Sequence, residues 1–299
     1  GRPVRVDDGL SGAGHYRFSI GGLTAWALSD GFMRVSPVQP LFAPEATAAE
    51  LESALTHAFH PVDRVEIQIN VLLVKMGKEL VLIDAGSGPS GTNGRLPANM
   101  RAAGIDPAMV TAVVLSHAHG DHIGGALDAE GAEVFPNARW IVGRTEHDYW
   151  TAPTQEAKDF GLGADALKRM AGQAQRVFGV IGKKVELVKG GDRVIEGLEL
   201  IDTPGHTAGH MSVVISDGDE RVAAMGDLAH DHVIMFANPA WTVAFDADKA
   251  AAVATRKRMF DRFAADRTRV FGYHMPWPGL AHVRRMGEGF EWVPEAWSW

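Results

Sequence analysis

The hydrophobic positions along the chain follow two periods, one typical of strands and one typical of helices. Short apolar runs, several of them alternating with polar residues, predict strands in the first half at residues 16–20, 23–28, 65–75, 79–83 and 110–115. The same signal predicts strands in the second half at residues 140–142, 185–187, 194–200, 211–215, 222–225 and 269–272. Helical spacing predicts helices at residues 47–58, 95–103, 146–150, 158–178 and 249–264.

The order of these elements favours one kind of α/β architecture. Strands and helices alternate, but a hairpin is also predicted around Met76-Gly77-Lys78. Because hairpins bring antiparallel pairs into a sheet, we expect an α/β (α+β) fold with mixed sheets flanked by helices, and not an all-parallel Rossmann sheet. Residues 1–14 are polar and Gly-rich, so we expect an N-terminal arm followed by a single domain over residues 15–299.

The composition directs attention to histidine. The 299 residues include 13 His and no Cys, which excludes disulfides, Cys-ligated metal sites and a cysteine nucleophile. A net charge of −8 without a long Lys/Arg run argues against a nucleic-acid partner. No apolar run approaches the roughly 18 residues of a membrane span, so no membrane partner is expected. The chain begins at Gly1, which suggests a processed product and favours a periplasmic or secreted location slightly over the cytoplasm.

The sharpest chemical signal is the sequence His-Ala-His-Gly-Asp-His directly after the apolar run at residues 110–115. The period of two in a strand places His117 and His119 on one face, and the turn at Gly120 brings Asp121 and His122 in from the loop. Imidazole and carboxylate ligands suit zinc and its first-row neighbours, and sites of this kind usually keep a position open for water. This motif therefore predicts a catalytic metal site.

Three more candidate ligands follow predicted strands later in the chain. His206 opens the sequence His-Thr-Ala-Gly-His after residues 194–200, Asp227 follows residues 222–225, and His274 follows residues 269–272. Open α/β sheets commonly place their sites just beyond strand ends, so we expect these side chains near the first motif.

These residues give the chain a resemblance to the metallo-β-lactamase superfamily, over residues 16–299. The match rests on Asp84 in Leu-Ile-Asp-Ala-Gly, on the HxHxDH motif, and on His206, Asp227 and His274. Within the superfamily the chain resembles the methyl parathion hydrolases and their lactonase relatives, in stretches that include residues 27–31, 94–96, 135–138 and 277–282. The resemblance implies an αβ/βα sandwich with a dinuclear metal site at one edge.

The resemblance also implies a role for each residue of the site. It assigns three ligands to each metal: His117, His119 and His206 to one, and Asp121, His122 and His274 to the other. Asp227 would bridge the two metals, Asp84 would orient a ligand histidine, and His210 is expected to be a buried hydrogen-bonding residue. Seven ligands are too many for one tetrahedral ion, which agrees with two divalent ions. Zinc is the first choice, with cobalt, manganese and iron as alternatives.

A further histidine and an apolar pocket complete the expected site. His230 stands where related lactonases carry a Tyr or His near the substrate carbonyl, so it would stabilise an oxyanion or the leaving oxygen; the alternative is a solvated loop histidine. The family walls its pocket with segments that here contain Trp150, Met235, Phe236, Trp241 and Phe245. Such a pocket would select a hydrophobic substrate, although ordinary core packing explains each of these residues equally well.

These expectations predict a dinuclear metal-dependent hydrolase that opens lactones, either aryl lactones such as dihydrocoumarin or acyl-homoserine lactones. A hydroxide bridging the two ions would attack the carbonyl, Asp227 would hold the ions, His230 would assist and Asp121 would shuttle a proton. Relatives of this kind are often homodimers, so a homodimer is expected.

The main alternative is hydrolysis of organophosphate triesters such as methyl parathion, possible also as a promiscuous activity. Residues 86–93 lack the aromatic residue of phosphotriesterase-like relatives, which argues against efficient organophosphate turnover. β-Lactam hydrolysis and nuclease activity are less favoured. An iron-dependent oxidoreductase and a non-catalytic metal-stabilised binding protein stay open.

Overall fold

The structure is a computed structural model, and it describes residues 13–296. Within that range the strands are β1 (His15–Ile20), β2 (Leu23–Val35), β3 (Val65–Met76), β4 (Glu79–Ile83), β5 (Ala112–Leu115), β6 (Arg139–Gly143), β7 (Val185–Val188), β8 (Leu198–Asp202), β9 (Met211–Asp217), β10 (Glu220–Ala224), β11 (Arg269–Phe271), β12 (Leu280–Met286) and β13 (Gly289–Pro294). The α-helices are α1 (Ala48–His57), α2 (Leu96–Ala102), α3 (Gly120–Ile123), α4 (Arg144–Thr151), α5 (Ala164–Ile181), α6 (Ile234–Ala237) and α7 (Lys249–Asp266). The predicted arm over residues 1–14 lies almost wholly outside the described residues.

The strands form two mixed sheets, which confirms the predicted fold class. The first sheet has the order β1-β2-β3-β4-β5-β6-β7 and the second has the order β13-β12-β11-β10-β9-β8. In the first sheet β1 to β4 are antiparallel neighbours, whereas β4 to β7 are parallel. In the second sheet only β10 and β11 pair in parallel. None of the helices in residues 13–296 has the length and apolarity needed to span a membrane.

Alternation along the central strands separates the layers of the sandwich. In β3, Leu72 and Val74 belong to the apolar cluster between the sheets, which also contains Ile215 of β9. Their neighbours Val71 and Leu73 point to the opposite face, where they join a cluster that contains residues of α5. A third cluster packs α7 against the outer face of the second sheet. The two sheets therefore pack face to face with helices outside both.

Most predicted elements overlap those of the structure, although β2 runs to Val35, beyond its predicted end at residue 28. Three further differences have a clear physical cause. The N-terminus of α1 has the expected capping box, in which Thr47 and Glu50 satisfy each other's backbone N–H groups. Helix α5 begins at Ala164 and not at residue 158, because the preceding Gly163 adopts a φ of +82°. Likewise β8 begins at Leu198 and not at residue 194, directly after a positive-φ glycine.

The third difference is the hairpin β12–β13, which the hydrophobic pattern does not predict. Strand β12 ends in charged, exposed residues, and Arg284 forms an ion pair with Glu291 across the hairpin. Charged side chains of this kind are typical of an edge, where they oppose pairing with another sheet. They also remove the apolar alternation by which a strand is recognised.

Candidate metal centre and its cleft

The seven predicted ligands follow strand ends at one edge of the sandwich and meet in space. Their ligand atoms form two neighbouring groups with internal distances within 4.8 Å: His117, His119, His206 and Asp227 in one, and Asp121, His122 and His274 in the other. A third such group joins Asp227 and His274 to His230. All of these side chains are buried except that of Asp121, which is 17 % exposed.

The carboxylate of Asp227 stands between the two groups and presents one oxygen to each. Its Oδ2 lies 3.2 Å from Nε2 of His206 and 3.6 Å from Nε2 of His117. Its Oδ1 lies 3.2 Å from Nε2 of His122 and 3.3 Å from Nε2 of His274. This is the arrangement required of a carboxylate that bridges two cations.

Several of these inward-facing atoms have no hydrogen-bond partner among the described residues. They are Nε2 of His117, Nε2 of His122 and Oδ1 of Asp227, and all three are buried. Buried polar atoms without partners are costly and rare, and lone pairs that converge on one space are what a cation requires. The donor set therefore fits two divalent ions held by nitrogen and oxygen alone.

On its outer side the ring of His122 is held by a buried carboxylate. Oδ2 of Asp84 lies 2.9 Å from Nδ1 of His122, and the same carboxylate accepts hydrogen bonds from the backbone N–H and the hydroxyl of Ser116, both at 2.7 Å. The ring is also stacked on Tyr273, with centroids 3.9 Å apart. This geometry matches the orienting role expected for Asp84, because it leaves only Nε2 to face the centre.

Two other ligand rings are held in the same way by groups that the sequence did not reveal. Nδ1 of His206 lies 2.8 Å from Oδ1 of Asp246, and Nδ1 of His274 lies 2.8 Å from the carbonyl oxygen of Gln68. Neither partner belongs to a motif near its histidine. His119 differs from the others, since its Nδ1 faces the centre, 3.0 Å from Nε2 of His206.

His210 lies outside the three ligand groups, as expected of a buried hydrogen-bonding residue. Its Nε2 accepts the backbone N–H of Asp227 at 2.9 Å, so Nδ1 carries the proton and donates to the hydroxyl of Thr203 at 2.8 Å. Burial lowers the pKa of His210 to about 3, which keeps the ring neutral as this pattern requires. His210 thereby fixes the backbone that carries Asp227.

His230 is buried beside the centre and is not a solvated loop residue. Its Nε2 lies 3.0 Å from Oδ2 of Asp227, and its ring contacts the rings of Phe42 and Phe245 edge-on. Burial lowers the pKa of His230 to about 4, so the imidazole is neutral at neutral pH. Its Nδ1 is one of the buried atoms without a hydrogen-bond partner in the described structure.

A cleft of about 360 Å³ opens onto this centre. Its apolar lining comes from Met33, Ile67, Leu162, Met170 and Phe245, and its uncharged polar lining from Ser87, Ser90, Asn93 and Gln173. His119, Asp121, Asp227, His230 and His274 form the catalytic end. Apart from Phe245, the sequence marked none of the apolar lining residues, because an apolar residue in a strand or helix is usually part of the core.

Of the five residues expected in the pocket walls, the structure places Phe245 on the cleft. Trp150 packs edge-on against the ring of His119 from behind, and the sulfur of Met235 accepts the backbone N–H of His230. Phe236 stacks on a phenylalanine of α7 in the core, and Trp241 lines a separate groove. These four residues support the site or the core and do not line this cleft. Trp150 lies on α4 behind His119, and the other three lie on α6 or just after it and pack in the apolar cluster at the outer face of the second sheet.

Comparison with known proteins agrees with the fold and the site. Residues 64–274 match the family model of the metallo-beta-lactamase superfamily, and the chain belongs to that superfamily. Among solved structures it is similar to AidC, a dizinc quorum-quenching lactonase in complex with a product, N-hexnoyl-L-homoserine. That similarity has a TM-score of 0.90 at 32 % identity and covers 95 % of this chain and 98 % of that one.

Two further relatives are similar over different lengths. The hydrolase AbOPH of the beta lactamase superfamily matches with a TM-score of 0.89 at 29 % identity, over 97 % of this chain and all of that one. The N-acyl homoserine lactonase AttM of Rhizobium radiobacter is 35 % identical over 122 residues, which are 39 % of this chain. The match spans about 40 % of the length of that curated relative. None of these three relatives is named a methyl parathion hydrolase, so membership of that branch stays a prediction.

Proposed function

We propose that this protein is a dinuclear metal-dependent hydrolase that opens the ring of N-acyl-homoserine lactones. The observation that carries the proposal is the position of Asp227, whose two carboxylate oxygens face two separate sets of histidine nitrogens at the end of a cleft. The lactonase names of the relatives supply the substrate class. The apolar lining of the cleft suits an acyl chain, and its uncharged polar residues suit the amide and ring oxygens.

The cofactor that we infer is a pair of divalent metal ions, with zinc as the first choice because the AidC neighbour is a dizinc enzyme. The proposed ligands are His117, His119 and His206 for one ion, Asp121, His122 and His274 for the other, and Asp227 for both. When bound, such ions supply a water nucleophile that is active near neutral pH and a Lewis acid for the carbonyl oxygen.

The residues around the cleft position the lactone and manage its protons. The neutral ring of His230 stands at the catalytic end with its one N–H on Nε2, beside Oδ2 of Asp227. In the proposed reaction this N–H turns to the oxygen that gains charge as the ring opens and donates a hydrogen bond to it. The carboxylate of Asp121 lies at the same end, with Oδ2 3.3 Å from Nε2 of His274. As the partly exposed acid of the site, it is placed to pass a proton to the leaving alkoxide.

Phosphotriester hydrolysis is the second candidate, because the same centre can attack phosphorus. The relatives reported above favour the lactone. One wall of the cleft is formed by Ser87, Ser90 and Asn93, where the phosphotriesterase-like relatives carry an aromatic residue. This wall therefore offers little stacking surface to an aryl leaving group.

One preparation with measured metal content tests the proposal. Hydrolysis of acyl-homoserine lactones, dihydrocoumarin and a paraoxon-type triester is followed in a pH-indicator assay. We expect the highest kcat/KM for an acyl-homoserine lactone. Absence of lactone hydrolysis by protein that carries two metals per chain would contradict the proposal, and a higher kcat/KM for the triester would reverse the ranking of the two candidates.

We further propose that the partner of the chain is a second copy, as the resemblance of its sequence to lactonases implies. Light scattering after size-exclusion chromatography gives the mass directly, and a mass of one chain at micromolar concentration would reject the dimer. The expected periplasmic or secreted location stays a prediction.

A further inference from the structure

A buried carboxylate joins the two loops that carry three of the proposed ligands. Oε1 of Glu146 accepts the backbone N–H of Ala118, the residue between His117 and His119, at 2.9 Å. Its Oε2 accepts the hydroxyl of Thr207 at 2.7 Å and the backbone N–H of Gly209 at 3.0 Å, both in the loop that begins at His206. Glu146 is 1 % exposed and lies at the start of α4. One side chain therefore sets the distance between the two loops.

A fourth donor connects the same carboxylate to a ligand ring. Nε1 of Trp150, one turn further along α4, donates to Oε1 of Glu146 at 2.7 Å. The indole in turn packs edge-on against the imidazole of His119, with centroids 5.6 Å apart. Glu146 thus fixes both the backbone beside His119 and the aromatic surface on which its ring rests.

The close approach of the loops to Glu146 is built into the backbone. A Cβ atom added to Gly209 would lie 2.1 Å from the backbone nitrogen of Glu146, so only glycine fits at this contact. Three of the four donors to the carboxylate are N–H groups, which cannot accept a hydrogen bond in return. The pocket is therefore specific for an ionised carboxylate and mismatched to an amide.

Burying a carboxylate without a cation beside it is not an efficient source of stability. Burial raises the pKa of Glu146, and the four hydrogen bonds offset only part of that cost. An apolar side chain of similar size would avoid this cost but would leave the four donors buried without partners. What Glu146 provides is geometry, because its four bonds define the relative positions of His117, His119 and His206.

We propose that Glu146 is a positioning residue that sets the affinity of one of the two metals, the one assigned to His117, His119 and His206. The inference rests on the proposed function, since it uses that ligand assignment. Other groups lie behind the ligands of the second metal, Asp84 behind His122 and the Gln68 carbonyl behind His274. Asp84 also reaches His117 through the hydroxyl of Ser116, but among the described residues no hydrogen bond joins Glu146 to Asp84 or Gln68. Loss of Glu146 therefore weakens one site and leaves the other intact.

The experiment measures metal content during timed exposure of the zinc-loaded protein to a chelator. The wild type is expected to keep two metals per chain, whereas Glu146→Gln loses one of them at least about 10-fold faster and keeps the second, in line with the effect of outer partners on metal affinity. Asp30→Asn is the matched control. Asp30 is also a buried carboxylate that accepts backbone N–H groups, from Ser87 and Leu96, but it contacts none of the ligands, so this variant should keep both metals.

Double variants identify the site that is weakened. His119→Ala removes a ligand from the affected site, so adding Glu146→Gln to it should change the remaining metal little. Asp121→Asn weakens the other site, so adding Glu146→Gln to it should release both metals. Equal effects in the two backgrounds would overturn the assignment to one site, as would two metals lost at the wild-type rate from the single variant.

Milder changes keep the proposal testable if Glu146→Gln does not fold. Thr207→Val and Trp150→Phe each remove one donor to the carboxylate and preserve most of the side-chain volume. Each should accelerate loss of the same metal by a smaller factor, and no acceleration in either would contradict the proposal. A wild type that never holds two metals would instead refute the proposed function itself, before any variant is compared.

Discussion

The carboxylate of Asp84 lies 2.9 Å from Nδ1 of His122, on the side of the ring away from Asp227. This contact fixes the tautomer of His122 and directs Nε2 at the centre. We expect Asp84→Asn to lower the affinity of the metal proposed at His122 by about 10- to 100-fold, as measured by competition with a chromophoric chelator. Asp246→Asn should lower the affinity of the other metal, because Asp246 holds His206. An equal loss of affinity at both sites in either variant would contradict the idea that the two sites are supported by different residues.

His230 should act in catalysis without holding a metal. Replacing it with leucine keeps the apolar contacts with Phe42 and Phe245 but removes the hydrogen-bond donor. We expect His230→Leu to lower kcat/KM for lactones by about 10²-fold, the usual size of such a contribution, and to lower any phosphotriesterase activity less. Metal content should stay at two per chain. Equal losses on both substrates would mean that the histidine has no role specific to lactones.

Removal of the metals should reduce both activity and stability. Without cations, the inward nitrogens of His117 and His122 and Oδ1 of Asp227 are buried without partners, which destabilises the native state. At a free zinc concentration 100 times Kd, one site would add about 2.7 kcal/mol to the free energy of unfolding. The midpoint of thermal unfolding should therefore fall after chelation and recover when zinc is restored. An unchanged midpoint would contradict a metal centre in these residues.

The apolar wall of the cleft should make KM depend on the length of the acyl chain. Leu162 is 39 % exposed at the cleft and is placed to cover the distal part of a long chain. We expect Leu162→Ser to raise KM for long-chain lactones by about 4-fold for each acyl methylene that the wall no longer covers, and to leave KM for short-chain lactones unchanged. Val180→Ser is the matched control, since Val180 is 44 % exposed near the end of α5 and does not line the cleft. An equal change in KM at all acyl-chain lengths would mean that the acyl chain does not lie against Leu162.

The metal ligands could be predicted from a single sequence, but the groups that hold their rings in place could not. The HxHxDH ligands are neighbours along the chain, so strand geometry and the following turn brought them together without any knowledge of the fold. The group behind His274 is the carbonyl oxygen of Gln68, 206 residues away, and any residue type offers a carbonyl. Glu146 is 28 residues from Ala118 and 61 from Thr207, and Asp246 is 40 residues from His206. Such contacts leave no local sequence pattern, because the segment between the two partners can have any length and composition.

The cleft shows the same limit for apolar residues. Met33 and Ile67 lie on paired strands of the first sheet, at positions that are opposite each other in the register. Their alternation along the chain is that of any buried strand. They face a cleft because they lie where the sheet meets the loops of the metal centre, which the alternation does not indicate. Of the aromatic residues expected there, Phe245 lines the cleft, whereas Phe236 lies in the core.

The sequence by itself determined the mixed sheets flanked by helices, the ligand types and the exclusion of cysteine chemistry, because period, turn residues and composition are local properties. The tertiary structure decided which oxygen of Asp227 faces which histidines, which groups hold the ligand rings, and which apolar side chains line the cleft. These are relations between strands that are distant along the chain. They are fixed by how the two sheets pack, and a one-dimensional pattern does not contain that information.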